Sequence, residues 1–241
     1  MNSSKQTNVK FVDFQCPYCG ASLSFPEERR STAQECPYCS ETVIVSTVDS
    51  EKGGRLPLPI KTPRLNIRPL RTEDLPDWLE FIKDEDSYKY LSNYEPNDEE
   101  AISWLEESFR LRLTHPNGRL PLGIELPSKS KVIGHLSFYL CDSQEHRQGS
   151  FMIMMHPDYR RQGYGTEALI GLIDFGFTGI ALHDIRVSIF SQNRAGRRMV
   201  EKAGMKLEGE LTENIYIKEE WMNTAYYGIL STWWHQVSSK T

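Results

Sequence analysis

The sequence predicts an α/β (α+β) chain: a large domain on a mixed, largely antiparallel sheet flanked by helices, with a small cysteine-bearing module in front. Two observations carry this. From Thr62 onward, apolar runs of strand length such as KVIGHLSFYL are interleaved with stretches whose apolar residues recur at helical spacing. Before that point, four of the five cysteines crowd the first forty residues, and EKGGRLPLPIK separates them from the rest. The expected organisation is a module at 1–50, a linker at 51–61, a domain at 62–235 and a short tail at 236–241. At 241 residues the chain has room for both units.

Taken in order, the large domain opens with RLNIRPL, whose alternation predicts a strand. TEDLPDWLEFI follows as a helix, with Thr72 or Asp74 as N-cap and Leu75, Trp78, Leu79 and Ile82 on one face. After the loop SNYEPND, the segment EEAISWLEESFRLRL repeats Ile102, Leu105, Phe109 and Leu113 at helical spacing. LPLGIEL, KVIGHLSFYL and GSFMIMM are strands, the last ending at His156-Pro157. TEALIGLIDFGF is a helix, IRVSIF a strand, and RAGRRMVEKAG a helix closed by Gly204. NIYIKEEW and TAYYGIL complete the sheet.

The front module repeats itself. CPYCG at 16–20 recurs as CPYCS at 36–40, with sixteen residues between Cys19 and Cys36. Two C-x-x-C turns at this separation suit a tetrahedral Zn²⁺ held by Cys16, Cys19, Cys36 and Cys39. Four thiolates leave no open coordination position, so the zinc is structural. VKFVDF, ASLSF and TVIVS read as short strands around it, which makes a zinc ribbon with too little core to fold without metal. A redox reading of CPYC requires a helix after the motif, and neither ASLSFP nor ETVIVS has helical character.

Composition narrows the function. A net charge of −5 and no strong basic stripe in the ribbon disfavour nucleic acid. No stretch approaches the apolar length of a membrane span. The start, MNSSKQTNVK, lacks the apolar core of a secretion signal, and clustered thiols suit a reducing, cytoplasmic setting.

RRQGYG at 160–165 sits between a strand and a helix. A glycine-rich turn there aims free N–H groups and the positive end of the helix dipole at one point, a geometry that suits phosphate. Gly163 and Gly165 let a ligand approach the backbone. The turn lacks the Lys-Ser/Thr end of a P-loop and the full dinucleotide fingerprint.

HPDYRRQGYGTEAL resembles motif A of the GNAT acetyltransferases, R/Q-x-x-G-x-G/A, through Arg160, Gly163 and Gly165. TPRLNIRPLRTEDLPDW and EPNDEEAISWLEE resemble the opening strand and helices of the RimJ/RimL-like, ribosomal-protein branch. NRAGRRMVEKAGMKLEGEL resembles that branch's N-x-x-S-x-x-x-x-E-K-x-G-F segment, and the likeness spans about residues 62–235. The resemblance implies a GNAT fold that transfers acetyl from acetyl-CoA, its co-substrate, to a primary amine. By branch, that amine is a protein N-terminal α-amine; a free amino acid, polyamine or aminoglycoside is the alternative. It also implies that the backbone around Met154, Met155 and His156 pairs with the pantetheine arm and polarises the thioester. Arg161, Gly163, Tyr164, Gly165 and Thr166 would hold the pyrophosphate, and Asn193 would orient the CoA arm. The plainer readings are core packing for the methionines and an N-cap for Asn193.

Two departures stand out. The position seven residues after Asn193 holds Val200 in place of the family's tyrosine acid, and the branch's serine is Gly196. A second function therefore stands beside the enzyme: a weak or inactive CoA-binding scaffold that docks a protein partner through the ribbon. Tyr216, Tyr226 and Tyr227 are substitute acids, and Glu95, Glu125, His135 and His156 are candidate bases, none preferred.

Overall fold

The computed structural model describes residues 11–15, 21–27, 33–38, 42–44, 58–82, 84, 89–90, 102–103, 119–140 and 147–238. In the front module, β1 (Phe11–Gln15) pairs with β2 (Ser22–Pro26), and β3 (Ala33–Glu35) with β4 (Thr42–Ile44), both antiparallel. Each CPYC stretch thus lies in the connection of a two-stranded hairpin. Leu23 and Cys36 are buried together, with Val12 and Phe25 against them. β1, β2 and β4 fall in the three predicted strands; β3, the polar tripeptide AQE, carries no apolar signal and was not predicted. Cys16, Cys19 and Cys39 lie outside the described residues, and among those described no group of three metal-ligating side chains forms.

The large domain runs β5 (Ile60–Lys61), β6 (Asn66–Pro69), α1 (Leu75–Ile82), β7 (Arg119–Leu126), β8 (Lys131–Leu140) and β9 (Gln148–Met155). It continues with α2 (Tyr164–Asp174), β10 (Asp184–Phe190), α3 (Arg194–Lys202), β11 (Lys206–Ile217), β12 (Glu220–Leu230) and α4 (Ser231–Ser238). The eight strands form one sheet in the order β11-β12-β10-β9-β8-β7-β6-β5. Every neighbouring pair is antiparallel except β9 and β10. α1 covers one face, where Trp78, Phe81 and Ile82 pack on Val132 and Met154. α2 buries Ala168, Leu169, Leu172 and Ile173 in the core on the other face, joined by Val200 of α3. Among the described residues no helix is long and apolar enough to cross a membrane.

Some predicted boundaries move. NIYIKEEW is not one strand. Lys218 and Glu219 turn the chain inside it, both at positive φ (48° and 63°), the backbone of a tight two-residue hairpin. No Asn-Gly or Asp-Gly marks that turn, so alternation ran straight through it. β5 forms inside the stretch read as linker, because Ile60 is buried opposite Ile67. α4 carries ordered chain beyond residue 235, anchored where Trp234 Nε1 donates to Asp174 Oδ1 at 2.9 Å. The predicted helix EEAISWLEESFRLRL lies outside the described residues save Ile102 and Ser103.

Candidate functional site

β9 and β10 pair only at their beginnings, from Gln148 with Asp184 to Ser150 with Arg186. Beyond that register they part, so Phe151–Met155 and Val187–Phe190 border a wedge inside the sheet. On its other edge β9 stays paired with β8 to Met155, and the His156 N–H donates to Ile133 O at 2.9 Å. The alternation of an antiparallel ladder then decides which amides face where. Met154 and His156 turn their N–H groups to β8, whereas Ile153 and Met155 turn theirs into the wedge. Of the three residues singled out here, Met155 therefore presents an N–H to the gap. Its carbonyl is already occupied by Arg160 Nε at 3.0 Å. The Met154 side chain packs against α1 and is buried.

RRQGYG follows after His156 and a 3-10 turn at Pro157–Tyr159. Arg161 (φ 60°) and Gly163 (φ 83°) are both left-handed, which curls the chain into a concave turn at the start of α2. From Arg161 through Thr166, no backbone N–H has an acceptor among the described residues. The first that does is Glu167, which donates to Gly163 O at 2.9 Å. Six consecutive amides at a helix N-terminus without partners among the described residues form a cradle whose geometry suits an anion. At Gly165 a side chain would meet Met199 Sδ at 3.2 Å and Met155 Cγ at 3.4 Å. The bare glycine lets the cradle sit against both the β9 lip of the wedge and α3. Arg160 fixes that lip through its bond to Met155 O and an ion pair with Asp84 at 2.6 Å.

Arg64 and Glu167 were not singled out from sequence, yet they brace the turn. Glu167 accepts from Thr62 Oγ1 (2.6 Å), Arg64 N (2.8 Å) and Arg64 Nε (2.6 Å). Burial would raise its pKa, but these hydrogen bonds outweigh it and hold the carboxyl below its ordinary value. Arg64 also donates through Nη1 to Gln162 O at 3.1 Å and lies over the Tyr164 ring at 4.2 Å. Between 98 and 105 positions separate the partners, so no local spacing could have revealed them.

Across the wedge, Asn193 caps α3: its Oδ1 accepts from Gly196 N at 2.9 Å. The N-cap reading is what the geometry displays. A Cβ at Gly196 would stand 2.9 Å from Asn193 Nδ2, so this rotamer leaves no room for the branch's serine.

The candidate acids and bases divide sharply. Tyr227 is buried; its hydroxyl accepts from Arg197 Nε at 2.9 Å and donates to Glu201 Oε1 at 2.7 Å. Burial pushes its pKa above the usual value, the Arg197 contact opposing and Glu201 reinforcing. Tyr216 and Tyr226 are exposed, the Tyr216 ring tilted against Trp221. Glu125 is held by Arg68 Nε at 3.1 Å, in a cluster where Arg68 also grips Asp74 through both terminal nitrogens. His135 is buried between Trp78 Nε1 (3.1 Å to Nδ1) and Ser137 Oγ (3.0 Å to Nε2). Indole N–H only donates, so Nδ1 is an acceptor and Nε2 carries the proton, leaving the ring no free lone pair for a base. His156 accepts Asp158 N on Nδ1 at 3.1 Å and meets Glu80 through Nε2 at 3.2 Å. Glu95 lies outside the described residues.

Known proteins resemble this chain in sequence and fold. The acetyltransferase (GNAT) domain profile matches residues 64–206. An uncharacterized N-acetyltransferase of Bacillus subtilis strain 168, YnaD, is 26% identical over 176 residues, covering 73% of this chain and 99% of that protein. A GNAT-family acetyltransferase structure from Bacillus anthracis superposes with a TM-score of 0.63 at 26% identity, over 71% of this chain and 98% of that one. Spermidine N-acetyltransferase from Vibrio cholerae, solved with CoA and spermine, shares the fold with a TM-score of 0.62 at 20% identity, over 71% and 98% of the two chains.

Proposed function

Since the chain belongs to the GNAT acetyltransferase family and is an N-acetyltransferase, we propose that the wedge and cradle together take acetyl-CoA and deliver its acetyl group to a primary amine. The observation that carries this reading is the run of acceptor-free amides from Arg161 to Thr166, set against the lip where the Met155 N–H faces the gap. The cradle would hold the diphosphate. The Met155 N–H would donate to the thioester oxygen as negative charge develops there, the role of an oxyanion donor. The neutral amine attacks the carbonyl carbon, the tetrahedral intermediate collapses as the C–S bond breaks and the thiolate departs, and the proton shed by the nitrogen passes to solvent water or to the thiolate. Free thiols have a pKa of about 8.5, so at neutral pH the departing thiolate needs little help from an acid. That fits a site with Val200 and Gly196 where relatives place hydroxyls.

For the acceptor, branch resemblance favours a protein N-terminal α-amine, and the spermidine enzyme among the fold's relatives puts polyamines on the same panel. The test is transfer of labelled acetyl from acetyl-CoA to peptides with free N-termini and to spermidine, followed by mass spectrometry. Gly163→Glu should weaken CoA binding about a hundredfold or more, since it adds a like charge and a side chain at positive φ. Unchanged affinity in that variant would remove the diphosphate assignment.

The front module is proposed to hold one structural Zn²⁺ on Cys16, Cys19, Cys36 and Cys39. Two hairpins, each with a C-x-x-C connection, and a buried Cys36 support that reading. With the metal in place, the ribbon is suited to dock a protein partner.

A further inference from the structure

We infer that Arg64 is a phosphate-binding residue of the cradle, poised there by Glu167. The inference rests on the reading that residues 161–166 hold a diphosphate, and it adds a residue from the far edge of the sheet that nothing in the turn's own sequence supplies. Arg64 precedes β6, ninety-nine positions before Gly163, and reaches the turn across the start of α2. Three of its groups are engaged in bracing: the backbone N–H and Nε on Glu167, and Nη1 on Gln162 O. Nη2 has no acceptor among the described residues. It lies 3.3 Å from where a Cβ on Gly163 would stand, at the centre of the six free amides. The guanidinium carbon lies over the Tyr164 ring, 4.2 Å from its centre, which helps hold the group where Nη2 is offered.

Electrostatics give the pair a second role. A carboxylate in the first turn of a helix suits the dipole, but it opposes a bound anion at the same terminus. Glu167 occupies that place, and its pKa is held low, so it is ionised. Arg64 cancels that charge at 2.6 Å and leaves one donor facing the cradle. Without Arg64, the cradle would receive a diphosphate beside an uncompensated carboxylate. Arg64 thus supplies a donor and masks a repulsive charge. Glu167 is a positioning residue: it aims the guanidinium and would not touch the phosphate.

The test uses the full-length protein and two probes, CoA and pantetheine, which lacks the phosphates. Dissociation constants are measured by calorimetry for the wild type, Arg64→Ala, Arg64→Lys and Arg64→Ala/Glu167→Gln, after thermal melts confirm folding. Arg64→Ala should weaken CoA about tenfold to a hundredfold, the range of one charge-assisted hydrogen bond, and leave pantetheine unchanged. Arg64→Lys keeps the charge without the fork and should lose a smaller part of that affinity. Adding Glu167→Gln to Arg64→Ala should recover part of the CoA affinity, because the exposed negative charge is gone; a purely mechanical brace would lose more. Wild-type CoA affinity in both single variants, or a double variant no tighter than Arg64→Ala, would overturn the role of Arg64. A wild type that binds CoA no better than pantetheine would instead overturn the diphosphate site itself.

Discussion

At the scale of single residues, Glu167 is where stability and ligand binding meet. Three hydrogen bonds converge on its carboxylate, from Thr62 and twice from Arg64, and they tie the segment before β6 to the start of α2. Its carboxyl is held below the ordinary value of 4.5, so the sign of the pH effect is set. A depressed folded pKa contributes stability in full above the unfolded value, and that contribution is lost as pH falls through the folded value. Glu167→Gln should cost about 1–3 kcal/mol at pH 7, and the gap between variant and wild type should narrow as pH drops below about 4.5. Chemical denaturation at pH 7 and pH 3.5 measures this, and a gap that stays constant would contradict it. The same residue shows the limit of reading sequence. TEAL gave a helix start, and Arg64 sat unremarked in an alternating strand, because only the folded sheet brings positions 64 and 167 together. Gly163 and Gly165, by contrast, were legible, since a turn that demands positive φ or close packing excludes almost every other residue type.

Among elements, the informative ones are those whose ends face the wedge. β9, α2, β10 and α3 were all visible from apolar period and glycine punctuation, and each ends within a few residues of its expected limit. The turn between β11 and β12 was not, because Lys218-Glu219 takes left-handed backbone without glycine or asparagine to announce it. α3 shows how one residue serves an element. The Asn193 side chain satisfies the Gly196 N–H, while Arg197 and Glu201 on the next turns grip the buried Tyr227 hydroxyl from β12. Cap and clamp together hold the helix end beside the β10 lip. Asn193→Ala should destabilise the domain by about 0.5–2 kcal/mol, the usual effect of losing an N-cap. Tyr227→Phe removes two partly buried hydrogen bonds and should cost about as much again. Equilibrium unfolding reads both. If Asn193 also touches the CoA arm, its alanine variant will raise the dissociation constant for CoA at temperatures where it remains folded, and Tyr227→Phe will not.

Across the whole molecule, the architecture turns on a single parallel pair in an otherwise antiparallel sheet. An antiparallel neighbour closes on its partner through a hairpin, whereas β9 and β10 are linked through α2 and part after three paired residues. The crossover therefore opens the gap and also delivers the helix N-terminus that lies at its lip. We propose that the front module is a separate unit; its buried described residues amount to Leu23 and Cys36. Two hairpins of three to five residues per strand bury too little to stand alone, so their order is expected to come from metal. This separation can be tested directly. Elemental analysis of the purified protein should give about one zinc per chain. A strong chelator, or Cys36→Ser, should expose residues 1–50 to limited proteolysis. The fragment from about residue 58 onward, which keeps β5, should survive with its melting temperature and its affinity for CoA unchanged. If chelation lowered the melting temperature of that fragment as well, the two units would be one cooperative structure, and the ribbon would belong to the enzyme's own stability instead of to a docking role.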